Sequence, residues 1–280
     1  DGSPHDWLAG RAEPCCLMVA VDDATGRTLA RFYRRETAEA AFDLFGRWVR
    51  RYGVPRALYV DRAGIYRPER EATGAEVLAG KVPVTQFGRA MGELNVELIL
   101  ANSPQAKGRV ERKNGVFQDR LIKEMRLAGV SSMEAGNAFL DGGYLEEHNA
   151  RYEVGPREAT DDHRALSGVL ERGTDLEEVL CEREERVVGR DWCVRWENRW
   201  LQIGKGHEGL GLAGKKVTVI RKADGGLTVR FRGVRLSCTE CSVRPKPPKR
   251  RSKPEIKNNK RWKPAADHPH RRPIAKRRAG

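Results

Sequence analysis

Residues 15–22, CCLMVAVD, form an unbroken apolar run that ends on an aspartate, and residues 27–34, RTLARFYR, answer it with alternating apolar positions. Asp23, Ala24, Thr25 and Gly26 lie between them as a turn, so the pair predicts a β-hairpin. The period then changes. Ala38, Ala41, Phe42, Phe45, Trp48 and Val49 recur at helical spacing behind Thr37, a capping residue, and Gly53 and Pro55 stop the helix near Tyr52. ALYV at 57–60 predicts a short strand that ends at Asp61. Residues 66–84 are polar, irregular and rich in Gly and Glu. A helix over about 85–94 and a strand over 96–100 follow. Ser103 then caps a further helix, with Pro104 at its first position and Val110, Phe117, Leu121 and Met125 on one face. Another helix spans about 132–149.

From Arg186 the pattern turns to short strands: RVVGRD, WCVRWEN, RWLQIG, KKVTVIRK, LTVRFRG and VRLSC, with Asp224-Gly225-Gly226 as a turn signal. The order strand–strand–strand–helix–strand–helix–strand–helix predicts an α/β fold of RNase H-like layout, in which only residues 1 to about 8 can supply the first strand. The expected organisation is a catalytic core at 1–165, a charged connector at 166–185, a small all-β barrel at 186–243 and a basic disordered tail at 244–280.

Composition sharpens this picture. The chain has 280 residues, 39% of them hydrophobic, enough for a sizeable core, and a net charge of +14. Residues 244–280 hold 15 of the 53 Lys/Arg against two acids, Glu255 and Asp267, so the tail carries nearly all the excess. It also holds seven of the 14 prolines and cannot pack a core. It reads as a flexible phosphate-binding arm of salt-sensitive, sequence-blind affinity, with a merely solubilising disordered tail as the alternative. No apolar run approaches the roughly 18–20 residues that span a bilayer. No secretory signal opens the chain, and Asp1 is not an initiator methionine, which predicts a fragment or a gene that lost its start. Cys238 and Cys241 make one C-x-x-C, short of the roughly four ligands of a zinc site. The glycine-rich GKGHEGLGLAGKK lacks the spacing of a nucleotide-binding P-loop.

The candidate chemistry is acidic. Transfer of a DNA phosphoryl group needs charge neutralised on the attacking and leaving oxygens, which two Mg²⁺ ions held by carboxylates supply. Asp61 closes a strand, Glu111 lies early on a helix, and Asp1 opens the first strand. Asp6, Asp22 and Asp23 are the alternatives for the first carboxylate. Asp6, five residues on, faces the opposite side of a strand, and Asp22 and Asp23 read as turn residues. Beside Glu111, Lys107, Arg112 and Lys113 are candidate phosphate contacts. His5 and the tryptophans 192, 196 and 200 read as structural, and Ser103 as a helix cap with no nucleophilic partner.

DGSPHDWL at 1–8, LYVDRAGIYR at 58–67 and, most specifically, NSPQAKGRVERKNGVFQDRL at 102–121 resemble the DDE transposases that share the retroviral-type integrase core, above all the ISNCY group of bacterial insertion elements. The resemblance covers most of the chain. It implies that Asp1, Asp61 and Glu111 are catalytic and hold two Mg²⁺ (or Mn²⁺) ions. The implied activity is DNA strand cleavage followed by transfer of the exposed 3′-hydroxyl into target DNA. The implied partners are transposon ends, target DNA and further copies of the chain, with no membrane and no small-molecule cofactor. The implied location is the bacterial cytoplasm, at the nucleoid. Arg62 stands where retroviral-type integrases usually have Asn. The family's N-terminal helix-turn-helix region has no counterpart in this sequence, so a catalytically inactive DNA-binding remnant is the alternative expectation, and a nuclease of RNA–DNA hybrids a third.

Overall fold

A computed structural model describes residues 1–80, 82–101, 108–170, 175–222, 225–244, 267 and 268, leaving aside the Arg109 side chain. Contacts divide the chain into Asp1–Pro245 and Lys246–Gly280. The expected helix cap at Ser103 and Pro104, the contact at Lys107, the acidic turn residue Asp224 and nearly all of the basic tail fall outside the described residues.

The first unit begins with an antiparallel sheet in the order β1 (Gly2–His5), β2 (Cys15–Val21), β3 (Thr28–Tyr33). Val19 lies opposite Ala30, and Gly2 opposite Met18. Every residue from Cys15 to Val19 is buried, so both faces of this central strand are covered, which is why its sequence is an unbroken apolar run. Helix α1 (Ala38–Tyr52) starts where expected: the Thr37 hydroxyl accepts from the Ala40 amide. α1 and α3 (Gln86–Glu93) pack Phe42 and Phe45 against Phe87. α4 (Gly108–Leu127) and α6 (Leu145–Tyr152), which follows α5 (Met133–Phe139), bring Phe117, Leu121, Met125 and Leu145 into the same core, joined by Leu140 from the segment between α5 and α6.

β4 (Ala57–Val60) pairs in parallel with β5 (Glu97–Leu100), and short α2 (Gly74–Leu78) lies in the polar stretch between them, started by a Thr73–Glu76 capping box. An Asp61 strand lying directly beside the Asp1 strand is absent from the described ladders. β1 is an edge of its sheet, and Pro4 within it has no N–H to give a further neighbour. The expected single helix over 132–149 is interrupted at 140–144, where Gly143 takes φ of 129°, a conformation that Gly supplies without steric cost.

α7 (Leu176–Val179) buries Leu176 and Val179 in the first core. β6 (Glu182–Val187) begins ahead of the strand expected at 186. Its charges disguised it. EREERV has no apolar alternation, yet it pairs along β9 (Lys216–Arg221), where Glu182 meets Arg221 and Glu185 meets Lys216. β10 (Leu227–Phe231) and β11 (Val234–Leu236) complete a sheet ordered β11-β10-β9-β6. A second sheet is ordered β12-β8-β7, from β7 (Cys193–Trp196), β8 (Arg199–Ile203) and β12 (Cys238–Cys241). Val194, Trp196, Leu201, Val217, Val219 and Val229 form one core between the two sheets. No helix among the described residues is long and apolar enough to cross a membrane.

Candidate functional site

α4 presents a polar stripe. Glu111, Asn114 and Gln118 are spaced three and four apart and so share one helix face, which meets the start of β1. The Gln118 amide donates to the Ser3 hydroxyl at 3.3 Å, and the Asn114 amide donates to the Asp1 carboxylate at 3.4 Å. Asn114 is buried, and its carbonyl oxygen has no hydrogen-bond partner among the described residues. The Asp1 backbone continues the ladder beyond β1: its nitrogen donates to the Val19 carbonyl at 3.0 Å, and the Val19 amide donates back at 2.9 Å. Asp1 therefore meets α4 at Asn114, one helical turn along from Glu111, whose side chain is exposed.

Asp61 follows β4, and its carboxylate accepts from the Ala63 amide at 2.9 Å, fixing the turn that leads to buried Tyr66. Burial is the main cause of the upward shift of the Tyr66 hydroxyl, and the charges of Glu36 and Asp61 add to it. Glu36 also packs against Gly2: a Cβ there would stand 2.5 Å from its carboxylate oxygen. Glu36 thus links the neighbour of Asp1 to the neighbourhood of Asp61. It passed unnoticed in the sequence because a Glu just before a helix cap has no distinctive pattern. Asp6 and Asp22 are occupied with turns, accepting from the Gly10 amide at 3.1 Å and the Thr25 amide at 3.1 Å.

The donor set has the chemistry of a hard-cation site, being all carboxylate oxygens on three elements. Its members are not gathered. Among the described residues no three His, Cys, Asp or Glu side chains stand close enough together to hold a metal ion. Residues 102–107, which lead into the helix of Glu111, lie outside the described residues.

The cations divide. Arg112 is exposed, its Nε donating to the Gly108 carbonyl at 2.9 Å. Lys113 is half-buried, 3.3 Å from His148 Nε2 and 5.3 Å from the centre of the Tyr152 ring. Burial lowers the Lys113 ammonium. Burial, reinforced by Lys113, Arg120 and Arg151, pushes buried His148 down to about 4, so it is neutral at pH 7. His5 packs edge-on against Trp7, whose indole N–H donates to the Ser3 carbonyl at 2.8 Å. Trp196 is core; Trp200 lies beneath Arg195 and Arg244, at 5.9 and 5.0 Å.

No family model matches the chain. It is 40% identical over 235 residues to the putative transposase y4bF of Sinorhizobium fredii, covering 83% of this chain and 49% of that protein. It is 28% identical over 230 residues to the transposase for insertion sequence IS1202 of Streptococcus pneumoniae, covering 80% of this chain and 46% of that protein. The chain spans about half the length of the curated relatives it matches. A simian T-cell lymphotropic virus intasome, solved in complex with the PP2A regulatory subunit B56 gamma, aligns with 82% of this chain and 73% of its own at 15% identity and a TM-score of 0.38, a likeness too slight to carry an argument.

Proposed function

We propose that this chain, similar over four fifths of its length to a putative transposase and to an insertion-sequence transposase, contains the catalytic core of a DDE-type DNA transposase. The reaction is cleavage of a DNA strand at the element's end, then transfer of the exposed 3′-hydroxyl to a target phosphodiester. In this reading the first region is an RNase H-like core, the two facing sheets after it are a small barrel, and the basic tail is a DNA-binding arm.

The observation that carries the reading is the contact between Asp1 and Asn114, which sets the start of β1 against the helix face that bears Glu111. Asp1, Asp61 and Glu111 are the residues that would hold Mg²⁺ or Mn²⁺. When bound, such ions neutralise charge at the scissile phosphate. Asn114 orients the Asp1 carboxylate, the Asp61 turn holds its oxygen beside Ala63, and Arg112 and Lys113 offer charge to the DNA backbone. Transposon ends, target DNA and other copies of the chain are the partners.

Mn²⁺ titration by calorimetry tests the ligand set apart from activity. Asp61→Asn and Glu111→Gln should each weaken Mn²⁺ binding by more than the roughly 10–100-fold that outer-shell changes cost. Both should also abolish Mg²⁺-dependent nicking of plasmid DNA while duplex binding persists. Wild-type Mn²⁺ affinity in both variants would overturn the assignment. The open spacing of the three carboxylates favours a second reading, a DNA-binding remnant without catalysis. It is the correct one if the unaltered chain binds duplex DNA but neither takes up Mn²⁺ nor nicks.

A further inference from the structure

The parallel pair β4–β5 carries Asp61 just past one end, and β5 is followed in the chain by α4, yet little in the pair itself fixes its register. The ladder runs only from Ala57 opposite Glu97 to Val60 opposite Leu100. None of these strand residues is buried, and Tyr59 is 60% exposed. Register is strongly specified where one face of a strand is buried, and a lone pair of strands is marginal by itself.

A strap at residues 161–164 grips the opposite end of the pair. The Arg164 amide donates to the Val54 carbonyl and the Val54 amide donates back, both at 2.8 Å. Val54 is completely buried and lies just ahead of β4. The Arg164 guanidinium then reaches the entries of both strands. Its Nη2 donates to the Pro55 carbonyl ahead of β4 at 3.1 Å, and to the Leu94 and Asn95 carbonyls ahead of β5 at 3.1 and 2.8 Å. Those last two carbonyls end α3, which closes in a Schellman turn with Asn95 left-handed at φ 52°. The strap is itself held down. The Trp48 indole of α1 donates to His163 Nε2 at 3.2 Å, and His163 Nδ1 faces the Asp161 carboxylate at 2.8 Å. Gly53, at φ 95°, leaves the room, because a Cβ there would stand 2.9 Å from the Arg164 carbonyl oxygen.

We infer that Arg164 is a positioning residue, which sets the height of β4 against β5 and thereby the approach of Asp61 to Glu111. The inference rests on the transposase reading for the roles of those two carboxylates. A guanidinium suits the task because its nitrogens are fixed in a rigid plane, whereas a lysine ammonium is a mobile point charge. A strand rises about 3.3 Å per residue, so a slip by one residue displaces Asp61 by that distance and turns its side chain to the other face. A misplacement of about 1 Å, caused far from the chemistry, already costs on the order of 100-fold in rate.

The test uses the full chain, amide hydrogen exchange without metal, and plasmid nicking in Mg²⁺. The Glu97 and Ala101 amides report on the pair, since they donate across it to the Arg56 and Val60 carbonyls. In Arg164→Lys, shown folded by thermal melting, both should exchange roughly 10-fold faster while the β2 amides do not change. Turnover at saturating DNA should fall by roughly 10–100-fold with duplex affinity unchanged. Arg164→Ala should do the same more strongly, and if it does not fold the lysine variant carries the test. Asn137→Ala, which removes a side-chain clip on the Phe32 backbone, is the control for lost stability and should leave the turnover of the folded chain unchanged. Exchange in Arg164→Lys that is unchanged, or that quickens equally in β2 and β5, overturns the inference and leaves the transposase reading standing. Local quickening with full turnover also overturns it. An unaltered chain that neither takes up Mn²⁺ nor nicks overturns the transposase reading, and the positioning role with it.

Discussion

The region up to Leu180 and the region from Glu182 onward protect the edges of their sheets in opposite ways. In the first, side-chain amides stand in for a missing strand. Asn137 accepts from the Phe32 amide at 2.8 Å and donates to its carbonyl at 3.0 Å; Asn149 does the same for Thr28 at 2.8 and 2.9 Å. Four residues apart on β3, both clips use the same outward-facing edge. In the second region the edge strand β6 is covered by charge instead, with Glu182, Arg183, Glu184, Glu185 and Arg186 in sequence. The difference is one of cost. A buried amide clip leaves two backbone groups stranded when it is removed, whereas a surface ion pair leaves two solvated charges.

That contrast can be broken at several strengths. Asn137→Ala should destabilise the chain by about 3 kcal/mol in urea unfolding, because the Phe32 N–H and C=O lose their partner in a buried setting. A loss below about 1 kcal/mol would mean that the clip is ornamental. A smaller effect should appear with pH. His148 titrates near 4 when folded and near 6.5 when unfolded, so the unfolded chain binds more protons between those values. Stability conferred by neutral His148 is therefore complete above about 6.5 and is lost as pH falls toward 4, by roughly 1–3 kcal/mol. Lys113, Arg120 and Arg151 are the charges that face it. Hydrogen exchange in α4 and α6 should quicken over that range and should not in His148→Gln. The smallest effect belongs to the second region: Glu185→Gln, which breaks an exposed pair with Lys216, should shift stability by at most about 0.5 kcal/mol. A larger loss would show that the charged edge is structural in the same sense as the amide clips.

Most elements of the first region were legible because their signals are local. The helical spacing from Ala38 to Val49, the apolar run of β2 and the cap at Thr37 all appear in the structure. β6 was hidden because its partner β9 supplies both the pairing and the opposite charges. The break at Gly143 was written as a Gly-Gly pair inside an otherwise helical pattern, and the helical period outweighed it. In the site, the motif around Glu111 named the helix and its polar residues, but not which faces which neighbour. Asn114 reads in the sequence as one more polar helix residue; only β1 lying alongside turns it toward Asp1. Glu36 gains its place only because Gly2, on another strand, leaves room for its carboxylate.

By itself the sequence determined the order and period of the elements, the two-part pattern of helices with strands followed by strands alone, and the kinship with transposases. Local steric preference and hydrophobic periodicity act over a few residues, and identity with relatives is a property of the string. The tertiary structure alone decided that Asn137 and Asn149 close an edge, that Asn114 reaches Asp1 and that His148 holds Lys113. Each of these is a short-range polar bond between groups far apart in the chain. Its strength depends on distances of a few ångströms and on exclusion of water, and packing creates both.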